Sequence, residues 1–259
     1  LGKLTKTNGL KVVQVGEGAD ELFYGYEHWL RFAKLYKSIP KFNSISSKNN
    51  FKSHRANLLF NIIQNNNPFP GGAVGFNLAQ IKKLVKFDYT ANSNLINYSD
   101  NLWQDYLSRE DFSITKWMTL IDLKIRLPEL LLMRMDKLSM QSGVEARVPF
   151  LDHRIVEFVL SLPENIIFDL NRTKPLLKDL STRHIPDKVL RRKKQGFRAP
   201  ISNWIQKDPG YFLDKIHEFN LNYNFFDPTA LSRTLKGGDI QKIWYIYNLS
   251  SWHLSRITK

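Results

Sequence analysis

The stretch VVQVGEGADELFYGY, Val12–Tyr26, combines the signals of a strand, a glycine turn and a helix. The β-branched run at residues 11–15 predicts a short buried strand that ends at Gly16. From Ala19 the apolar spacing predicts a helix that closes before Pro40. A strand that leads through glycines into a helix is a ready anion site, because the backbone can approach a ligand closely and the first N–H groups of the helix favour negative charge.

Three acidic residues, Glu17, Asp20 and Glu21, lie at this predicted anion site. Carboxylates repel a bare phosphate, so their position has two alternative explanations. They either complement the partial positive charge at the helix start, or they face a Mg²⁺ that lies between them and a polyphosphate. Mg²⁺ takes one or two carboxylates together with substrate oxygens. The second alternative predicts Asp20, with Glu21 beside it, as the metal ligands.

Composition limits the class of protein. The 259 residues include 42% hydrophobic side chains, which is enough for a core. No apolar run approaches the roughly 18 residues that span a bilayer, and the N-terminal LGKLTKTNGLK has no signal-peptide block, so we expect no membrane partner. The sequence has no cysteine, which excludes disulfides, thiolate zinc sites and a cysteine nucleophile within it. The absence of cysteine also fits a cytoplasmic protein.

The formal charge is +14, from 38 Lys and Arg against 24 Asp and Glu. Such an excess attracts polyanions, including nucleic acid, anionic membrane and phosphate-bearing small molecules. A simpler alternative is a genome that uses Lys and Asn freely, which the Asn-Lys clusters support. The basic segment RRKKQGFRAPISNWI, residues 191–205, suits a short nucleic-acid patch or a loop beside a phosphate site equally well.

The rest of the chain has the pattern of helices joined by loops. The polar segment at residues 40–54 predicts a surface loop, and NNNPFPGGAVGFN at residues 65–77 predicts a plain loop, because Gly71-Gly72 has neither a preceding strand nor a suitable Ser or Lys. Helices are predicted at 55–66, 78–87 and 114–125, from Pro128 to about Met140, after the N-caps Asp152 and Thr173, and at 201–218 and 239–256. One strand and about eight helices, without a repeat or a clear linker, predict one mostly helical domain.

Two further features involve charge. The segment RMDKLSMQSGVEARVPFLDHR, residues 134–154, fits neither a clean helix nor a clean strand. Its charges are either paired or functional, and for Arg134 with Asp136 we favour an ion-pair network that anchors a loop. Lys174 falls in the first turn of a predicted helix, where a cation opposes the helix dipole unless an anion lies nearby. A bound phosphate would make that position favourable, and an ordinary solvated lysine is the alternative.

Four segments, GEGADELFYGY, SMQSGVEARVPFLDHR, TKPLLK and KKQGFRAPISNW, occur in the order in which the asparagine synthetase family carries its counterparts. From about Lys11 onward the chain resembles the synthetase half of the glutamine-dependent enzymes, loosely so over residues 40–110. The resemblance implies the C-terminal, mostly α part of an α/β ATP-pyrophosphatase-type (adenine nucleotide alpha-hydrolase-like) domain. It also implies ATP and Mg²⁺, an aspartate side chain that is adenylated, and ammonia that displaces AMP and leaves asparagine and pyrophosphate.

The resemblance also implies roles for individual residues. Glu17 is a candidate base for the incoming ammonia, and Lys174 matches the lysine that neutralises the departing pyrophosphate. Asp20 matches the position that holds pyrophosphate through Mg²⁺, with Glu21 beside it. The implied nucleotide- and substrate-binding residues are Val15, Gly16, Gly18, Glu145, Arg147 and Lys194.

The chain departs from the family pattern in several respects. The family's serine-glycine-glycine phosphate loop and the cysteine of its glutaminase half are not in this sequence, Val15 replaces a usual serine, and Tyr24 replaces a usual glycine. These departures imply half of an ATP site, so we do not expect this chain alone to make asparagine, and ammonia would come from a glutaminase domain outside it. Alternatives are another carboxylate substrate in polysaccharide or peptide modification, an inactive helical binding module and, less favoured, a nucleic-acid-binding domain. A homodimer is one possible assembly.

Overall fold

The fold comes from a computed structural model that describes residues 1–40, 54–72, 75–76, 78–87, 94–192 and 199–257. The described chain is mostly helical, as predicted. It divides into two compact units, the first formed by residues 1–47, 58–73 and 97–194, and the second by residues 48–57, 74–96 and 195–259. Each unit has its own hydrophobic core, and the single synthetase domain stays a prediction.

The described elements follow in chain order. They are α1 (Gly2–Thr7), β1 (Val12–Gln14), α2 (Ala19–Leu22), α3 (Glu27–Ser38), α4 (His54–Ile63), α5 (Leu78–Leu84), α6 (Asn94–Leu107), α7 (Ile114–Ile121), a π-helix (Asp122–Leu132), α8 (Met133–Met140), β2 (Glu145–Arg147), a 3₁₀ turn (Pro149–Leu151), α9 (His153–Ser161), α10 (Glu164–Ile167), α11 (Pro175–Ser181), α12 (Asp187–Leu190), α13 (Ile201–Lys207), α14 (Pro209–Tyr223), α15 (Pro228–Lys236) and α16 (Ile240–Ile257). None of the described helices is long and apolar enough to cross a membrane.

The two strands pair in parallel within the first unit. Val12 lies opposite Glu145 and Gln14 opposite Arg147, and the N–H of Val15 donates to the carbonyl of Arg147 at 2.9 Å. The predicted strand at β1 is therefore confirmed, whereas β2 was not predicted. Because the strands are parallel, both carboxyl ends meet at the edge where the glycine turn begins.

The first core is rich in aromatic rings. Trp29, Trp103 and Trp117 are fully buried there, and the indole N–H groups of the last two donate to backbone carbonyls of the 65–72 loop. The second unit has a separate core from α13 to α16, with Phe219 and Phe226 fully buried. Buried aromatic rings contribute large apolar area, and an indole needs a partner for its N–H, so these bonds fix the loop to the core.

The helix predicted from Ala19 to Pro40 is wrong, because the chain leaves helical geometry between α2 and α3. Tyr24 has a φ of +59°, a left-handed conformation that cannot continue a right-handed helix. Its side chain is fully buried, with its ring 5.0 Å from the ring of Phe168 and 6.2 Å from that of Trp29. Burial of the ring offsets the backbone strain at the position where the family's glycine is expected.

The helix predicted to begin at Pro128 is also wrong. Residues 114–140 form a continuous helical path, and Pro128 lies inside its π-helical part. Proline has no N–H and its ring clashes with the preceding turn of an α-helix, so the chain passes it in wider turns. The preference of proline for a first helical turn misled the prediction.

Several other local predictions are confirmed or corrected. Asp152 caps α9, because its carboxylate accepts from the N–H of Arg154 at 3.0 Å. The helix predicted at 201–218 is two helices, since Asp208 caps α14 and Pro209 begins it. The helices predicted at 55–66, 78–87 and 239–256 correspond to α4, α5 and α16, whereas α6 and α15 and the short helices α1, α10 and α12 were missed. Residues 41–53 of the predicted surface loop lie outside the described chain.

The burial of Tyr24 leads to a stability prediction. We expect Tyr24→Gly to lower the free energy of unfolding by about 2–3 kcal/mol, since loss of a buried ring costs ~3–5 kcal/mol and relief of the left-handed strain returns ~1–2 kcal/mol. Tyr24→Phe keeps the ring packing and is expected to change stability by less than about 1 kcal/mol. Urea unfolding followed by circular dichroism measures both, and a Tyr24→Gly chain as stable as the parent would contradict the prediction.

Candidate active site

The glycine turn lies where β1 ends. Gly18 has a φ of +87° and precedes α2, and a Cβ built on it would lie 2.3 Å from the side chain of Leu151. Glycine is therefore favoured there for two independent reasons. Gly16 is exposed and Glu17 half-buried, at the carboxyl edge of a parallel sheet, which is the edge where α/β proteins bind ligands.

The site centres on an ion pair between Asp20 and Lys174. Oδ1 of Asp20 lies 2.7 Å from Nζ of Lys174, with side chains 15% and 24% exposed respectively. Lys174 has a φ of +52° and precedes α11, and its backbone N–H donates to the carbonyl of Tyr24 at 3.3 Å. Thr173 is therefore not the helix cap, and its hydroxyl instead lies 3.3 Å from Nζ of Lys178.

Gly25 makes this contact sterically feasible. A Cβ at this position would lie 1.8 Å from Oδ1 of Asp20 and 2.5 Å from Cε of Lys174. The N–H of Gly25 donates to the backbone carbonyl of Asp20 at 2.8 Å, which holds the turn closed. The distance between the carboxylate and the ammonium group thus depends on a residue without a side chain.

Glu21 points away from this pair and is 1% exposed. The hydroxyl of Tyr26 donates to its Oε1 at 2.5 Å, and Nη1 of Arg126 lies 3.7 Å from the same oxygen. Burial, together with the charge of Glu21, raises the pKa of Tyr26 far above its usual range, so the phenol stays a donor. The role of Glu21 as a metal ligand stays a prediction, but its carboxylate already accepts one hydrogen bond and faces one guanidinium.

Asp122 completes the same buried group. It is fully buried, and its carboxylate accepts from the N–H of Gly72 at 2.7 Å and from Nη1 of Arg126 at 3.0 Å. Burial raises the pKa of Asp122, an effect that these two donors oppose. The N–H of Gly72 is thus bonded to a carboxylate, in agreement with the prediction that Gly71-Gly72 belongs to a plain loop.

The predicted substrate residues of β2 lie on one exposed face. Glu145 and Arg147 are separated by two positions of a strand, so their side chains share a face, and they form an ion pair at 2.8 Å. Arg134 and Asp136 are exposed on α8, and among the described contacts no ion pair joins them. The two residues therefore do not form the predicted ion-pair network with each other, because they lie on a helix and residues two apart on a helix do not face each other.

The described residues fit a Mg²⁺ that is held jointly by the protein and a bound polyphosphate. They contain no group of three His, Cys, Asp or Glu side chains that could hold a metal by itself. Asp20 does fit the alternative of one carboxylate joined by polyphosphate oxygens, with Lys174 beside it for the phosphate charge. Lys194, predicted to bind nucleotide or substrate, lies outside the described residues.

The sequence model of the Asparagine synthase family matches residues 1–254. The chain belongs to the Asparagine synthase family. It is 25% identical to asparagine synthetase [glutamine-hydrolyzing] 1 of Bacillus subtilis (strain 168), a match that covers 94% of this chain and 40% of the relative. A putative asparagine synthetase [glutamine-hydrolyzing] of Mycobacterium bovis is 30% identical over 76% of this chain and 31% of its own length. The chain thus spans less than half of these relatives, and no solved structure matches it.

In this member of the Asparagine synthase family, the sequence patterns missed four residues that shape the site: Gly25, Gly72, Asp122 and Arg126. Asp122 carried one usable signal, because it lies in the helix predicted at 114–125 and an arginine follows it four positions later, which is the spacing of a helical ion pair. Gly25 and Gly72 carried no signal in the sequence, because each of them permits a close contact between segments that are far apart in the chain.

Gly25 provides a test of the ion pair geometry. We expect Gly25→Ala to lower the free energy of unfolding by about 1–3 kcal/mol, because the added methyl group must displace Asp20 or Lys174. Gly210→Ala is the matched control, since its Cβ would meet nothing closer than 3.7 Å and alanine favours a helix. Denaturant unfolding compares the two, and equal stability of Gly25→Ala and the parent would refute the assigned contact.

Proposed function

We propose that this chain is the C-terminal part of the synthetase domain of an asparagine synthetase-type amidotransferase, an ATP-dependent carbon–nitrogen ligase. In this reaction ATP adenylates a carboxylate, and ammonia then displaces AMP to form an amide, with pyrophosphate as the other product. Aspartate is the proposed acceptor, and a glutaminase domain outside this chain is the proposed source of ammonia. We also propose that the reaction takes place in the cytoplasm.

The observation that carries the proposal is the Asp20–Lys174 pair at the glycine turn. A carboxylate and a lysine lie 2.7 Å apart at the carboxyl edge of a parallel sheet, partly exposed and held by two unusual backbone conformations. An ordinary surface ion pair contributes little to stability and needs no such strain. The arrangement instead provides an anchoring carboxylate and a phosphate-binding cation side by side.

The chemistry of such a site is mainly stabilisation of charge by groups that are already in place. Lys174 would bind the pyrophosphate oxygens as the bond to the α-phosphorus breaks and negative charge builds on the leaving group. Glu17, half-buried at the turn and one residue from Gly18, would accept a proton from the attacking ammonia. Asp20 would hold Mg²⁺, which when bound neutralises phosphate charge and orients the phosphate chain.

The alternatives differ in what they leave unexplained. A catalytically inactive helical binding module does not require Asp20 and Lys174 to approach each other through Gly25. A related amidotransferase that acts on a polysaccharide or peptide carboxylate would keep the pair and change the acceptor pocket, and Val15 and Tyr24 depart from the family at positions near the turn. A nucleic-acid-binding domain would use the surface charge and show steep salt dependence on arbitrary DNA.

We further propose that the site works only within a longer polypeptide. The described sheet has two strands, and the side chain of Val12 is 38% exposed on it, whereas parallel sheets are normally covered on both faces. The N–H of Val15 is already bonded to Arg147, and Val15 has no hydroxyl to replace the family's serine. Hydrogen-bond donors to phosphate from segments beyond this chain would complete the nucleotide site.

The reaction can be tested by pyrophosphate release from ATP with a panel of carboxylic acids. The protein for this test is the full-length chain, meaning the longer polypeptide of which residues 1–259 are proposed to be a part. We expect Asp20→Asn and Lys174→Met each to lower the rate by about 10²-fold or more, because each removes a charge that acts on the leaving group. Asp214→Asn and Lys188→Met, at two exposed positions, are the matched controls and are expected to keep the parent rate. If the two site variants also kept it, the site would be wrongly assigned.

The isolated chain gives a second test. We expect residues 1–259 to bind ATP-Mg²⁺ with a Kd above about 1 mM. The turn supplies a carboxylate and a cation but few free N–H or hydroxyl groups that could bind phosphate. Isothermal titration calorimetry, with the full-length chain as the positive control, measures this. A tight, Mg²⁺-dependent nucleotide complex of the isolated chain would show that the site does not need further segments.

A further inference from the structure

A buried charged group lies next to the candidate site and is not used by the proposed chemistry. We call it the Arg126 cluster, and it comprises the side chains of Glu21, Tyr26, Asp122 and Arg126 with the N–H of Gly72. The guanidinium contacts both carboxylates, at 3.7 Å and 3.0 Å, and lies 4.7 Å from the centroid of the Tyr26 ring. All these residues belong to the first unit.

The two carboxylates of the cluster are closed to solvent, and their contacts are specific in geometry. Asp122 is fully buried and Glu21 nearly so, while the Arg126 side chain is 16% exposed. Two buried carboxylates that share one guanidinium are costly unless further donors serve them, and the phenol of Tyr26 and the N–H of Gly72 do so. A Cβ at Gly72 would lie 2.7 Å from the Asp122 carboxylate, so the loop approaches as closely as a glycine allows.

The cluster acts on Asp20 through α2. This helix has four residues, too few to be stable by itself, so its orientation comes from what its side chains contact. Asp20 and Glu21 are adjacent, and consecutive residues of a helix point about 100° apart. Glu21 enters the cluster, and its carbonyl accepts from the hydroxyl of Thr119 at 3.0 Å. Its neighbour Asp20 is thereby directed to Lys174.

We propose that Arg126 is a positioning residue that fixes α2 through Glu21, so that Asp20 alone of these two acids is presented to the metal and phosphate. Glu21 serves the cluster and is not a metal ligand. The inference depends on the proposed adenylation for one measurement only, the Mg²⁺ dependence of pyrophosphate release. The orientation of α2 is a property of the folded chain and can be measured without the reaction.

The first experiment is hydrogen–deuterium exchange of the peptide covering residues 16–26. We expect Arg126→Met to speed exchange there by about tenfold or more, with peptides of α14 unchanged as an internal control. Arg126→Lys, which keeps the charge, is expected to restore part of the protection. Should Arg126→Met leave too many buried charges to fold, the triple variant Arg126→Met, Glu21→Gln, Asp122→Asn removes them together and is read in the same way.

The second experiment compares the adjacent acids in the full-length chain. The Mg²⁺ concentration that gives half-maximal pyrophosphate release is expected to rise about tenfold or more in Asp20→Asn. It is expected to stay within about threefold of the parent in Glu21→Gln, because the amide oxygen of glutamine still accepts from the hydroxyl of Tyr26 and keeps α2 in place. An equal shift in both variants would make Glu21 a metal ligand and overturn the proposal. Parent-like exchange at residues 16–26 in a folded Arg126→Met chain would also overturn it. Absence of pyrophosphate release from the parent would refute the proposed function instead, and the exchange result would still decide the role of Arg126.

Discussion

The candidate site depends on the break between two helices at Tyr24 and Gly25. Tyr24 turns the chain through a left-handed conformation, places its ring in the core and offers its carbonyl to the N–H of Lys174. Gly25 then leaves the space in which Asp20 meets the lysine. A continuous helix would satisfy none of these three conditions, so the strain stored at Tyr24 is the local cost of bringing α2 and α11 together.

The charges around this break separate into two kinds by their access to solvent. The Asp20–Lys174 pair is partly exposed, so either member can exchange its partner for a phosphate or a metal ion. The carboxylates of the Arg126 cluster have no such freedom, because a buried charge cannot leave its partner without a large loss of solvation. The excess of 14 positive charges in the sequence explains neither group, since each acid meets a particular cation.

Local patterns in the sequence predicted β1, most of the long helices and the Asp152 cap, and the resemblance of four segments predicted the family. They failed where a distant contact decides the geometry. Apolar spacing continues across Tyr24, so the helix break depends on a core pocket that no local pattern shows. β2 consists of three residues with charged ends, and it is a strand because β1 lies beside it. Pro128 fits both the start of a helix and the interior of a π-helix, and only the packing of the whole path selects the second.

The adjacent acids Asp20 and Glu21 show why a motif does not by itself assign a role. In sequence they are equivalent carboxylates at a glycine turn, and either fits a metal. In the fold, helical geometry gives them different directions: one meets a lysine at the open edge of the sheet, and the other a tyrosine and an arginine in the interior. A change of one residue in the register of α2 would exchange these environments. The residues that fix that register, far away in the sequence, therefore determine which acid is available for chemistry.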